Sequence, residues 1–88
     1  MNDGVIAATI LYNLRRKNKI GNKHTPLDTL SKGFPKHLRG DVGDIAKNLI
    51  KRGWIDKKPT SYGFEVSLNK NNIIEIEAFV LKILRREF

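Results

Sequence analysis

The feature that most constrains this chain is an amphipathic segment that ends at a glycine and is followed at once by an alternating segment. Residues 34–53 carry the run FPKHLRGDVGDIAKNLIKRG, in which apolar residues recur at helical spacing. The next run is WIDKKPTSYGFEVSLN, which alternates apolar and polar residues near its end, as a half-buried strand does. This order predicts a helix over residues 39–52, a stop at Gly53 and a β-hairpin over residues 54–68, with its turn over residues 57–63.

Apolar residues at helical spacing predict two helices ahead of this segment. The first spans residues 3–17, with Asp3 as its amino-terminal cap. Its predicted buried stripe consists of Ile6, Ile10, Leu11 and Leu14. The second is a short helix over residues 26–32, for which Thr25 is the expected cap. Between the two, residues 23–24 are predicted as a very short strand that pairs with the hairpin.

A last helix is predicted over residues 69–87, with Asn69 as its cap. Its apolar surface is wider than one face of a small domain needs, because Ile74, Leu81 and Phe88 lie beside the main apolar stripe. We expect these three residues to contact a second copy of the chain in a homodimer. The alternative is that this helix packs against the first helix of the same chain and buries the whole surface.

The order of the elements predicts an α+β, mainly helical fold. It is a winged helix-turn-helix with three helices, a β-hairpin wing and an additional C-terminal helix. We expect all 88 residues to form a single domain. Within it, residues 25–53 are the helix-turn-helix, residues 54–68 the wing and residues 69–88 the C-terminal helix. Most uses of this architecture involve nucleic acid.

The charge balance indicates the kind of partner. Seventeen Lys and Arg against nine Asp and Glu give a formal net charge of +8. Such an excess favours a polyanion, with nucleic acid first and an anionic membrane surface second. The alternative is a lysine-rich surface of the kind that heat-adapted proteins carry.

Several function classes are not expected. The chain has no cysteine and no run of about 18 apolar residues, which argues against disulfides, thiolate metal sites and a membrane-spanning helix. His24 and His37 have no carboxylate cluster at ligand spacing, so no metal is expected. No nucleophile has a neighbouring base, so we expect neither an enzyme nor a cofactor. Without a signal-peptide pattern, the expected location is cytoplasmic and nucleoid-associated.

The candidate DNA-binding side chains are cationic or polar groups of the turn, the central helix and the hairpin. They are Lys36, His37, Arg39, Lys47, Lys51, Lys57, Lys58 and Tyr62. Cations suit phosphate contacts, and a hairpin tip that holds two lysines and a tyrosine suits the adjacent backbone or the minor groove. The alternative for the tip is an ordinary solvated turn.

Four residues in the first turns of the central helix bear on how it meets DNA. Asp41 and Asp44 suit the positive end of the helix dipole but not a negatively charged major groove. The turn and the hairpin are therefore the stronger candidates for DNA contact. Gly40 and Gly43 each cost about 1 kcal/mol against alanine in a helix, which requires a reason. Close approach of the backbone to DNA is one reason, and close packing against the preceding helix is the other.

The runs GFPKHLRGDV, LIKRGWI and KKPTSYGFEVSLN resemble the small winged-helix proteins of archaea. The similarity covers most of residues 25–69 and involves the recognition helix, the glycine that ends it and the wing. It implies a double-stranded DNA-binding protein, either a transcriptional regulator or a chromatin-associated protein. The alternative is a protein-interaction module of a larger transcription or replication complex, because this fold serves both roles. RNA binding is a third hypothesis, although the chain lacks the stacked aromatic pair that single-strand readers use on a sheet.

Overall fold

The computed structural model describes residues 1–86, and this part of the chain forms three α-helices and a small antiparallel sheet. The helices are α1 (Asp3–Arg16), α2 (Arg39–Arg52) and α3 (Ile73–Leu84). The strands are β1 (Thr25–Pro26), β2 (Ile55–Thr60) and β3 (Gly63–Leu68), with β3 in the centre of the sheet. Short 3₁₀ helices occur at Leu27–Ser31, Lys36–Leu38 and Lys70–Asn72. The predicted α+β, mainly helical fold is confirmed.

The first helix is capped one residue earlier than predicted. The side chain of Asn2, and not that of Asp3, accepts a hydrogen bond from the backbone N–H of Val5 at 2.8 Å. Asp3 lies in the first turn, where its carboxylate suits the positive end of the helix dipole. The predicted apolar stripe of α1 is buried, as Ile6, Ile10, Leu11 and Leu14.

The segment predicted as a second helix, residues 26–32, is a two-residue strand followed by a single 3₁₀ helix. Thr25 and Pro26 pair with Val66 and Glu65 of β3, so the third strand lies two residues later than the predicted pair 23–24. The prediction of a strand at residues 23–24 was therefore wrong, and the helix predicted over residues 26–32 is a shorter 3₁₀ helix, Leu27–Ser31.

Local chemistry explains the change in this segment. Thr25 pairs with Val66 of β3, and the 3₁₀ helix begins only after Pro26, which has no side-chain cap bond to offer. The Thr25 hydroxyl lies 3.2 Å from that of Thr29. The hydroxyls of Thr29 and Ser31 donate to backbone carbonyls three residues earlier, at 2.7 and 3.2 Å. Such local bonds compete with the α-helical ladder, and five residues are too few to sustain it alone.

The end of α2 lies where the sequence predicts it. Gly53 adopts a left-handed conformation with φ +89°, which glycine reaches without strain. The N–H groups of Gly53 and Trp54 donate to the carbonyls of Ile50 and Leu49 at 3.0 and 3.1 Å. These two bonds close the helix and turn the chain directly into β2.

The two strands of the hairpin extend further towards its tip than predicted. Thr60 is paired with Gly63, which leaves only the two residues Ser61 and Tyr62 as the turn. The hydroxyl of Thr60 donates to the Gly63 carbonyl at 3.1 Å and accepts from the Tyr62 N–H at 3.3 Å. These bonds close the tip, so the turn predicted over residues 57–63 was too long. Pro59 fits within β2 because this strand is at the edge of the sheet.

Burial along β3 does not follow the predicted alternation. Val66, Ser67 and Leu68 are consecutive and all buried, because both faces of the central strand are covered there. The Ser67 hydroxyl has no hydrogen-bond partner within residues 1–86. Towards the tip the hairpin extends beyond the core, and Phe64, which alternates with Val66 along β3, is 45% exposed.

The core forms around α1, which contacts α2, α3 and β3. Its largest fully buried side chains outside α1 are Val42, Ile55, Val66, Leu68, Ile76 and Val80. An ion pair of 2.7 Å between Arg15 Nε and Glu77 Oε2 joins α1 to α3. Both side chains are about one third exposed, so this pair contributes at most about 1 kcal/mol. Much of α3 is therefore held within the chain by apolar packing on α1.

Asn69 connects the end of α2, the base of the hairpin and the start of the last helical segment. Its side chain accepts from the Asn71 N–H at 3.0 Å, which confirms the predicted cap. Its side-chain amide donates to the Gly53 carbonyl at 3.0 Å, and its backbone N–H donates to the Trp54 carbonyl at 3.0 Å. The helical segment ends at Leu84, earlier than predicted.

Replacement of Asn69 tests this connection. Asn69→Ala removes the cap and the bond to Gly53, and we expect it to lower the free energy of unfolding by about 1–3 kcal/mol. Asn69→Asp keeps an acceptor for the cap but has no donor for the Gly53 carbonyl, so its loss should be smaller. Urea denaturation followed by circular dichroism measures both. Equal midpoints for the wild type and Asn69→Ala would show that these bonds add nothing to stability.

Candidate nucleic-acid interface

The predicted DNA-binding residues lie on the 3₁₀ helix Lys36–Leu38, on α2 and on the hairpin, and all of them are exposed. Lys36 and His37 directly precede Arg39, the first residue of α2. Lys47 and Lys51 are one helical turn apart on the outer face of α2. Lys57 and Lys58 belong to β2, and Tyr62 is fully exposed in the turn.

Three of these residues lie around one groove. Arg39, Lys47 and Lys57 line a groove of about 410 Å³ between the 3₁₀ helix Leu27–Ser31, α2 and the hairpin. We call it the α2–hairpin groove. None of the three cations forms an ion pair within residues 1–86. The groove therefore presents unneutralised positive charge, against which the one carboxylate of its lining is that of Asp28.

Lys57 is held at the groove by an aromatic ring. Its Nζ lies 4.5 Å from the centroid of the Phe64 ring, within the range of a cation–π interaction. The register of the hairpin, which pairs Lys57 with Val66 and Phe64 with Pro59, puts these side chains on one face. Phe64 was missed as a site residue because its alternation with Val66 predicts burial. The signal that could have shown its exposure is its position one residue after Gly63, close to the hairpin turn and far from the base of the hairpin.

The two neighbouring lysines of β2 do not act together. Successive side chains of a strand point to opposite faces, so Lys58 lies on the other face of the hairpin from Lys57. There it is paired in register with Glu65. The prediction that both lysines sit at the hairpin tip was wrong, because β2 continues to Thr60.

Lys51 and Tyr62 lie at the periphery of this surface. Lys51 borders a second groove, between the start of α1 and the end of α2, together with Asn48 and Arg52. The guanidinium of Arg52 lies 4.3 Å from the centroid of the Trp54 ring, a contact that the sequence did not predict. Tyr62 borders a third groove along the hairpin, and not the α2–hairpin groove.

The structure tests one of the two explanations of the α2 glycines, close packing inside the chain. A Cβ built on Gly40 or Gly43 has no neighbouring atom within 4 Å, so neither residue is required for packing inside the chain. Neither has a positive φ that only glycine reaches easily. Both lie on the exposed surface of α2, as do Asp41 and Asp44. Close packing against the preceding segment therefore does not explain why glycine occupies these two positions.

The residues predicted for dimerisation fall into two groups. On α3, Ile74 is 80% exposed and Leu81 is 48% exposed, with exposed Ala78 between them. Phe88 lies outside the described residues. Of the other apolar side chains of α3, Ile76 and Val80 are buried within the chain, and Ile73, Phe79, Ile83 and Leu84 are partly buried.

Comparisons with known proteins identify no family for this chain. No family model matches the chain, and neither a curated protein nor a solved structure matches it. The similarity to small archaeal winged-helix proteins therefore stays a prediction. In residues 1–86, no group of three or more His, Asp or Glu side chains is placed to hold a metal ion. No helix in this part of the chain is long and apolar enough to cross a membrane.

The two kinds of glycine make a matched pair for mutation. Gly43→Ala should raise the free energy of unfolding by about 0.5–1 kcal/mol, because alanine favours the helix and meets open space. Gly53→Ala should lower it by about 1–2 kcal/mol, because φ +89° strains any residue with a Cβ. Urea denaturation measures both changes. A loss of stability in Gly43→Ala would show that this glycine has an intramolecular role.

Proposed function

We propose that the protein binds double-stranded DNA as a winged helix-turn-helix, in the role of a transcriptional regulator or a chromatin-associated protein. The observation that carries the proposal is the convergence of Arg39 and Lys47 from α2 with Lys57 from the hairpin around one groove. A helix and a hairpin that offer unpaired cations to the same space suit a DNA backbone that passes between them.

Most of the binding energy in this proposal comes from phosphate contacts. Lys36, His37 and Arg39 contact the backbone beside the start of α2, where Asp41 and Asp44 disfavour direct approach to the bases. α2 lies in or beside the major groove, and the hairpin holds the adjacent backbone. The net charge of +8 adds long-range attraction.

The glycines of α2 support the same proposal. Gly40 and Gly43 lower helix stability and have no packing role, so the exposed backbone that they leave is available to a partner. A helix without side chains at these positions approaches a sugar-phosphate backbone more closely. Gly43→Ala should therefore bind DNA more weakly than the wild type, although its fold is more stable.

A titration at two salt concentrations tests DNA binding. We expect fluorescence anisotropy with a labelled random duplex of about two helical turns to show affinity that falls steeply as salt rises. Lys47→Gln and Lys57→Gln should each weaken binding and reduce the salt slope by about 1. Lys70→Gln makes the same charge change on the exposed 3₁₀ helix Lys70–Asn72, away from the groove, and should leave the slope nearly unchanged. An absence of binding at low salt would refute the proposal. Preferential binding of a structured RNA competitor would also refute it and would identify RNA as the partner.

A specific observation also supports self-association. Ile74 and Leu81 are exposed seven residues apart on α3, where a helix repeats its face. Glu75 and Lys82 flank them near opposite ends of the helix. A second copy packed antiparallel brings each Glu75 towards the Lys82 of its partner, so we propose a homodimer through this face.

Sedimentation equilibrium tests the homodimer. We expect a dimer mass for the wild type and a monomer mass for Ile74→Glu combined with Leu81→Glu, because four buried carboxylates oppose association. Lys58→Gln, on the hairpin, serves as a control that leaves the mass unchanged. A monomeric wild type would refute the homodimer. It would favour the alternative function, in which this face of α3 docks another protein and Lys57 is dispensable.

A further inference from the structure

The α2–hairpin groove has an apolar floor that the proposed phosphate contacts do not use. The floor consists of Leu27, Leu30, Val42, Ala46 and Ile50. Phosphate and sugar carry no large apolar group to fill such a floor. The volume of about 410 Å³ falls within the range of small-molecule sites, roughly 300–1,000 Å³, in which apolar linings with a few polar groups are usual.

Most of this floor is fixed by the core. Leu30, Val42 and Ala46 line the groove and are otherwise packed in the core. The base that they form between the 3₁₀ helix Leu27–Ser31 and α2 is therefore rigid. The Phe64 ring forms the wall on the hairpin side and remains 45% exposed. A ligand that covers this ring removes apolar surface from water, which stabilises the complex.

The charged residues of the groove favour a negatively charged ligand. Arg39, Lys47 and Lys57 supply three positive charges, and Asp28 supplies one negative charge. A small anion therefore meets an excess of positive charge, while its apolar body lies on the floor. Arginine in particular binds a carboxylate through two parallel hydrogen bonds.

We propose that the α2–hairpin groove binds a small aromatic carboxylate, whose ring lies against Phe64 and the floor and whose carboxylate lies among Arg39, Lys47 and Lys57. The same cations contact DNA in the proposed function, so the ligand and DNA compete for them. The competition rests on the proposed function, whereas ligand binding to the free protein does not. By linkage, each of the two weakens the binding of the other by the same factor.

Binding to the free chain is the first test, with 2-naphthoate as the probe. Calorimetry should give saturable binding, and amide NMR shifts should cluster at Val42, Ala46 and Phe64. The neutral 2-naphthamide lacks the charge and acetate lacks the ring, so each should bind about tenfold or more weakly. Equal binding of naphthoate and naphthamide, or shifts scattered over the surface, would overturn the proposal.

Two aromatic residues of the hairpin provide a matched pair of variants. Phe64→Ala should weaken naphthoate binding about tenfold, whereas Tyr62→Ala, two residues away and outside the groove, should leave it unchanged. Both side chains are largely exposed, so both variants should fold, which circular dichroism checks. Equal affinities of the two variants would also overturn the proposal.

The DNA arm separates the two proposals. Naphthoate at saturation should raise the apparent Kd for duplex DNA, and naphthamide should not. Naphthoate binding by a protein that does not bind DNA would refute the proposed function and leave the site standing. DNA binding without naphthoate binding would refute the ligand site and leave the proposed function standing. If both bind without affecting each other, the competition is refuted.

Discussion

The position of the hairpin relative to α2 depends on one corner of hydrogen bonds. Gly53 ends the helix in a left-handed conformation, and the side chain of Asn69 donates to its carbonyl from the far end of the hairpin. The backbone of Asn69 also donates to Trp54, so both strands are fixed at the same point. The placement of Lys57 across the groove from Lys47 follows from this corner. A chain that continued the helix through Gly53 would have no such groove.

The parts of the fold that the sequence predicted correctly are those decided by neighbours along the chain. The stop at Gly53 and the cap at Asn69 depend on backbone conformation and on side chains within a few residues. The helix predicted over residues 26–32 is only a 3₁₀ helix over Leu27–Ser31, and Thr25 and Pro26 instead pair with β3, about forty residues later. The hairpin turn was predicted too long because the pairing of Thr60 with Gly63, which the Thr60 hydroxyl supports, leaves no mark in the apolar and polar pattern of the sequence.

The sequence predicts which cations are exposed, but it does not predict which of them lie close together in the fold. Exposure of the predicted cations follows from their position opposite the apolar stripe of α2 and along an edge strand. That Arg39, Lys47 and Lys57 share a groove depends on tertiary packing, which composition does not encode. Lys57 and Lys58 are adjacent in sequence yet lie on opposite faces of the hairpin. The role of the α2 glycines also required the structure, because only the empty space around them excludes a packing reason.

The edge position of β2 has a consequence for the behaviour of the protein at high concentration. An exposed edge strand is a template on which another chain can add a strand, the first step towards aggregation. Pro59 lacks a backbone N–H, and the neighbouring lysines repel a second positively charged edge. The hairpin thus resists uncontrolled sheet extension: β2 contributes Lys57 to the α2–hairpin groove on one of its faces, and its free edge opposes fibre formation.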